Sequence, residues 1–285
     1  MNSEFEENEY RGPLFNQLEK GSNLIWEPGQ VFEKQIGIDR ASHCLNSYLW
    51  NLHGYCWPLA GVILRYRIPL SQKLLPDFSL NLFVQAKRSI YSSRSNRNLK
   101  PYINGRYWYF EVTSHQQKVL EDLNTILNGN ALVIYSAPVF HKQQELYINT
   151  VGGTIVENST FPSVSSLKGH KKWYFDTPGI IGIANPSFDY IEESGGLIMK
   201  MKNMREIKGD FISNDMIENV QKISKGIRTI IESNNNTFEA TQFAYQREII
   251  EMYLNEFDIT NIHGIRDIME IEAFCYLWKL QWKVF

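Results

Sequence analysis

"LNLFVQAKR", residues 80–88, is an apolar run that closes on an amide and two cations. With the two-residue period of a strand, Leu80, Leu82, Val84 and Ala86 share one side, and Asn81, Phe83, Gln85 and Lys87 share the other. One face is expected in the core and the opposite face is polar. A buried, unpaired neutral polar group costs about 1–3 kcal/mol and a charge costs more. Gln85 and Lys87 must therefore meet water, hydrogen-bond partners or a ligand.

Upstream, "LAGVILRYRIPL" at 59–70 has the same β-branched character and is separated from residue 80 by a Pro-containing polar link, so the two runs read as a hairpin. Downstream, "SHQQKVLEDLNTILNG" at 114–129 places Val119, Leu120, Leu123, Ile126 and Leu127 on one helical stripe. Ser114 is the expected N-cap and Gly129 the stop. "NALVIYSAPVF" at 130–140 then reads as a buried strand. Between 150 and 210, "TVGGTIVENSTF", "GHKKWYFDTPGIIGIANP" and "GGLIMKMK" suggest short strands and Gly-rich turns, with Met199 and Met201 as alternating strand residues. Beyond 211 the period changes to helical, with Ile217, Val220, Ile223, Ile227, Ile230 and Ile231 on one face and two further amphipathic runs after "NNN". The expected organisation is an N-terminal arm at 1–27, an α/β core with insertions at 28–210, and a helical subdomain at 211–285.

The 285 residues are 43% hydrophobic and 21% charged, enough for a large core. The formal charge of −2 gives no global sign of polyanion binding, so such a site has to arise by local clustering. Cys44, Cys56 and Cys275 are odd in number and lack C-x-x-C spacing, against a disulfide framework or structural zinc. The acidic start "MNSEFEENEYRG" and the lack of any apolar run of about 18 residues lead to the expectation of a cytoplasmic protein with no membrane association. No P-loop, G-x-S-x-G elbow or H-E-x-x-H spacing occurs.

Two acids precede the strand. Glu33 falls in a short stretch, 30–36, that accommodates a helical turn or two before Gly37, and Asp39 follows in "IGIDRA". Two carboxylates and an amide oxygen are hard ligands of the kind Mg²⁺ takes while keeping several waters. A Lys two residues past the amide projects from the same face, where it can orient a water and offset charge on an attacked phosphate. Asp77 is the alternative acid. It lies eight positions before Gln85, about 25 Å away along one strand, which favours Asp39.

The pairing of Gly37-Ile38-Asp39 with Val84-Gln85-Ala86-Lys87-Arg88 resembles the PD-(D/E)xK, or restriction-endonuclease-like, nucleases, and in particular their Mrr-type branch with Gln in the acid position. The resemblance implies a mixed central sheet flanked by helices. It also implies Glu33 as the helix acid, Asp39 as principal metal ligand, Gln85 as third ligand and Lys87 as catalytic lysine. The implied activity is Mg²⁺-dependent hydrolysis of DNA, with Mn²⁺ substituting, leaving a 5′-phosphate, in defence against foreign DNA and alongside a partner protein of such a system. Cutting both strands needs two sites, and the C-terminal helices are the expected homodimer contact. Gln85 in place of an acid keeps open a nucleic-acid-binding or scaffold protein that has lost cleavage, and an RNase on the same fold is a second enzyme alternative.

From Phe78 to Phe110 there is no Asp or Glu, yet Lys87, Arg88, Arg94, Arg97, Lys100 and Arg106 occur there among Tyr91, Tyr102, Tyr107, Trp108 and Tyr109. Such a stretch is expected to neutralise phosphates, with aromatic rings stacking on bases. His170, in "GHKKWYF", is a further candidate phosphate contact.

Overall fold

The computed structural model describes residues 1–18, 24–26, 41–43, 81–208, 216–235, 237–256 and 264–284. The architecture is mixed α/β, in two compact units: residues 1–20 with 82–209, and residues 21–81 with 210–285. The 59–70 strand, Glu33, Asp39 and Asp77 lie outside the described residues.

In the first unit, helix α1 (Glu7–Leu18) buries Tyr10, Leu14 and Phe15. The chain start is thus built into this unit, with Phe5 also fully buried. Strands β1 (Leu24–Trp26) and β2 (Ala41–His43) belong to the second unit and pair antiparallel. Strand β3 (Asn81–Ala86) is buried at all six positions. This corrects the expectation of one core face and one polar face. Asn81 and Gln85 are as fully buried as the apolar residues between them, so alternation marks no solvent face here, and β3 pairs with β6 (Ala131–Pro138). Lys87 lies just past β3, half-buried, and its amide donates to Ser136 O of β6 at 2.8 Å.

The chain next builds a five-stranded antiparallel sheet. Its strands are β4 (Ile90–Ser92), β5 (Tyr107–Glu111), β8 (Lys172–Phe175), β9 (Ile181–Asn185) and β10 (Asp189–Glu192), in the order β10-β9-β8-β5-β4. Trp108, Phe110, Trp173 and Phe175 alternate onto one face, where Phe110 meets Tyr135 of β6 with ring centroids 5.6 Å apart. Tyr107, Tyr109 and Tyr174 occupy the other face, and the β4–β5 connection lies over them.

Helix α2 (Ser114–Leu127) packs its predicted stripe on β6, with Val119, Leu120, Leu123 and Leu127 buried and Ile126 exposed. Its cap residue is Thr113, which has extended backbone and no side-chain cap bond, so Ser114 is the first helical residue and not the N-cap. Helix α3 (Gln143–Gly152) was not legible as a helix. Only Leu146 among its apolar residues is buried, so no stripe exists to detect, and the chain ends it at Gly153 in the left-handed region. Strand β7 (Ser159–Thr160) pairs antiparallel with β6. Helix α4 (Leu197–Lys208) replaces the expected "LIMKMK" strand. Leu, Met and Lys are good helix formers, and Gly195 at φ 140° sets the entry. Met199 is accordingly exposed and Met201 buried on different sides of a helix.

In the second unit, helices α5 (Met216–Ser233), α6 (Phe238–Glu256) and α7 (Ile265–Leu277) pack on one another, and strand β11 (Gln281–Val284) follows against α7. Glu270 of α7 is 1% exposed, and it accepts bonds from Ser224 Oγ at 2.8 Å, Arg228 Nε at 2.7 Å and Arg247 Nε at 2.9 Å, tying all three helices together. Among the described residues no helix is long and apolar enough to cross a membrane.

Candidate active site

Gln85 is fully buried, and its amide is satisfied from two directions. Its Oε1 accepts from Gln116 Nε2 at 2.7 Å, and its own Nε2 donates to Ala86 O at 3.1 Å. Gln116 turns its carbonyl to the cation, with Lys87 Nζ donating to Gln116 Oε1 at 2.6 Å. Gln116 therefore bridges the Q-x-K pair, reading an acceptor with its amide nitrogen and a donor with its oxygen. Lys87 Nζ also sits 5.8 Å from the centroid of the Tyr135 ring. Gln85 and Lys87 are thus partnered by the first turn of α2, which is what the cost of burying them requires.

Beneath this lies a second polar chain. Tyr135 Oη donates to Gln117 Oε1 at 2.7 Å, and Gln117 Nε2 donates to Glu121 Oε1 at 2.7 Å and to Val164 O at 2.9 Å. Burial, reinforced by the charge of Glu121, holds the Tyr135 hydroxyl well above the ordinary phenol range, so it is a permanent donor. Tyr10 is likewise pushed up to about 12 by burial, against the pull of its bonds to Ser136 and Ser159. The site therefore presents one oriented ammonium beside a hydrogen-bonded chain that runs from Tyr135 through Gln117 to the Glu121 carboxylate. Such a group can neutralise an anion or orient a water, and the hard oxygens beside it are the amide oxygens of Gln116 and Gln85.

The expected phosphate-binding residues divide. Arg88 Nη1 donates to Glu6 Oε1 at 2.9 Å and Nη2 to Ser3 O at 2.6 Å, so its charge is offset inside the unit. Arg94, Arg97, Lys100 and Arg106 are exposed on the β4–β5 connection, and among the described residues none of them has an ion-pair partner. Arg106 lies over the Trp108 ring at 5.6 Å. Of the interleaved aromatics, Tyr107 and Trp108 are buried, whereas Tyr102 is 48% exposed. His170 Nδ1 lies 3.2 Å from Asn185 O and Nε2 lies 3.6 Å from Asp189 Oδ2, which tethers the turn before β8 to the β9–β10 hairpin.

Gln116 is the residue that the sequence reading missed. It is 31 positions from Gln85, and only the docking of α2 brings it there. A second polar cluster also escaped notice. Lys200 and Glu193, 6% and 7% exposed, are paired at 2.8 Å, and Lys200 also donates to Phe161 O at 2.6 Å. Burial alone would raise the Glu193 carboxyl, but Lys200, the Ser163 amide and the Ser166 hydroxyl outweigh it and hold it below the usual carboxylate range. This pair pins α4 to the segment after β7. Comparison with protein-family models, curated proteins and solved structures found no match.

Proposed function

We propose that this protein is a metal-dependent nuclease acting on DNA, with Lys87 as its catalytic lysine and Gln85 in the position of the third ligand. The observation that carries the reading is the Gln85–Gln116–Lys87 bridge, placed in the chain directly before a connection bearing four cations and no carboxylate. Among the described residues no three His, Cys, Asp or Glu side chains gather to hold a metal. The sequence resemblance assigns the carboxylates to Glu33 and Asp39, and Gln85 Oε1 keeps a second lone pair after accepting from Gln116. A bound Mg²⁺ or Mn²⁺ would supply charge neutralisation and a more acidic water. Lys87 orients the attacking water and offsets charge growing on the phosphate. Gln116 restricts the Lys87 rotamers, and Arg94, Arg97, Lys100 and Arg106 hold the flanking phosphates.

The test is cleavage of supercoiled plasmid by the purified chain with Mg²⁺ or Mn²⁺, beside Lys87→Ala and Asp39→Ala. The expected result is cutting by the parent that each variant lowers by at least about 10²-fold. A parent that binds plasmid and never cuts it would overturn the catalytic reading. That outcome would favour the second one, a binding protein in which Gln85 has replaced the acid a metal needs. A defence role and a dimer formed through α5, α6 and α7 belong to the same proposal. Monomeric elution at micromolar concentration would remove the dimer.

A further inference from the structure

Residues 93–106 join β4 to β5 as an ordered strap. Asn96 O accepts from the Leu99 and Lys100 amides at 3.1 and 2.9 Å, Asn96 Oδ1 accepts from the Asn98 amide at 3.0 Å, and Leu99 O accepts from the Tyr102 and Ile103 amides at 2.9 and 2.8 Å. Leu99 and Ile103, 1% and 5% exposed, are driven into the Tyr107, Tyr174 and Ile183 cluster. The strap thus crosses the sheet face, and its Tyr102 reaches the far edge, where it stacks on Tyr190 of β10 with centroids 5.9 Å apart and planes 28° apart. Both rings remain about half exposed, at 48% and 49%. An exposed aromatic pair at the end of a cationic strap is not explained by packing of the unit itself.

We propose that Tyr102 and Tyr190 form a stacking platform for an unpaired base, which makes single-stranded DNA, or a duplex with unpaired nucleotides, the preferred ligand of this surface. The inference rests on the nucleic-acid reading of the strap given above. Base pairs in a duplex hide their faces in the stack, so an exposed ring pair adds affinity only for a base that is splayed out. The polarity of the surface agrees. Arg97 and Lys100, both exposed, precede Tyr102 in the strap, whereas the exposed Asp189 and Glu192 neighbour Tyr190 along β10. The sugar-phosphate chain is therefore placed along the cationic strap, with its base reaching the ring pair from the Tyr102 side.

The experiment is fluorescence anisotropy of the full chain, in EDTA to prevent cutting, with a labelled 20-nucleotide oligo-dT and with a blunt duplex of equal length. The parent is expected to bind the single strand at least about 10-fold more tightly. Tyr102→Ala and Tyr190→Ala are each expected to weaken single-strand binding about 5- to 100-fold and to change duplex binding less than about 2-fold. Tyr190→Phe, which keeps the ring, should retain parental binding. Arg97→Ala with Lys100→Ala should weaken both ligands and reduce the slope of log K against log salt by about 1.4 for the single strand. Equal affinity for the two ligands, no binding of either, or tyrosine variants that melt as the parent does and bind it as tightly, would each overturn the inference. Plasmid cleavage without single-strand preference would leave the nuclease reading standing and this inference refuted. Single-strand preference without cleavage would do the reverse.

Discussion

Gly182 faces the indole of Trp173, and the consequence of adding one methyl there can be worked from the geometry. A Cβ on Gly182 would lie 2.1 Å from Cζ2, 2.2 Å from Cε2 and 2.6 Å from Cη2 of that ring. Ordinary carbon contacts begin near 3.5 Å, so the ring would have to withdraw by about 1.4 Å. It has little freedom to do so. Trp173 is fully buried, lies in an interior strand of the five-stranded sheet and donates from Nε1 to Thr160 Oγ1 at 3.3 Å. Gly182 does not have a positive φ, so backbone strain does not enter and the methyl by itself would stabilise by about 0.4–1 kcal/mol through the unfolded chain. Overpacking costs about 1–3 kcal/mol in general, and a clash with a pinned indole places Gly182→Ala at about 3 kcal/mol or more. For a unit of this size that corresponds to a fall in Tm of about 6–12 °C. Urea unfolding followed by tryptophan fluorescence measures it, in the parent and in a Trp173→Leu background. In that background the same substitution should cost less than about 1 kcal/mol or stabilise, since its clash is gone. A Gly182→Ala protein within about 0.5 kcal/mol of the parent, or equal costs in both backgrounds, would refute the reasoning.

Glu270→Gln should destabilise the second unit by about 1–3 kcal/mol in urea unfolding, because Arg228 and Arg247 lose a charged acceptor but are exposed enough to regain water. Gln116→Leu should cost about 1–3 kcal/mol, since it leaves Oε1 of the fully buried Gln85 without its donor. Differential scanning fluorimetry would detect that loss, and an unchanged melting curve would show that another donor replaces Gln116. Glu193 is held below its ordinary carboxyl value in the folded state, so its contribution is fully present above the unfolded carboxyl pKa and is lost as the pH falls through the depressed folded value. Stability measured from pH 6 downward should therefore decline below about pH 4.5, and Glu193→Gln should be less stable at pH 6 and show a shallower decline.

Much of the first unit was legible from local pattern. The β6 run announces itself because a strand buried on both faces is almost continuously apolar, and the α2 stripe because it buries one side of a helix. The helical character beyond residue 211 was legible for the same reason, with Val220, Ile223, Ile227 and Ile230 all fully buried on one face of α5. Helix α3 was not, because most of its apolar residues face outward, and α4 was not, because a Met- and Lys-rich run after two glycines fits either period.

At the candidate site, the sequence marked Gln85 and Lys87 as polar residues needing partners, and marked 78–110 as a stretch of six cations without an acid. Those statements follow from residue identity and short-range spacing, which the chain carries in itself. That Gln116 bridges the pair, that Glu6 offsets Arg88, and that Tyr102 crosses the sheet to meet Tyr190 are contacts over 29, 82 and 88 positions. Hydrogen bonds and ring stacking act over a few ångströms, so partners this distant in sequence are selected only when packing of the sheets and helices brings their backbones together.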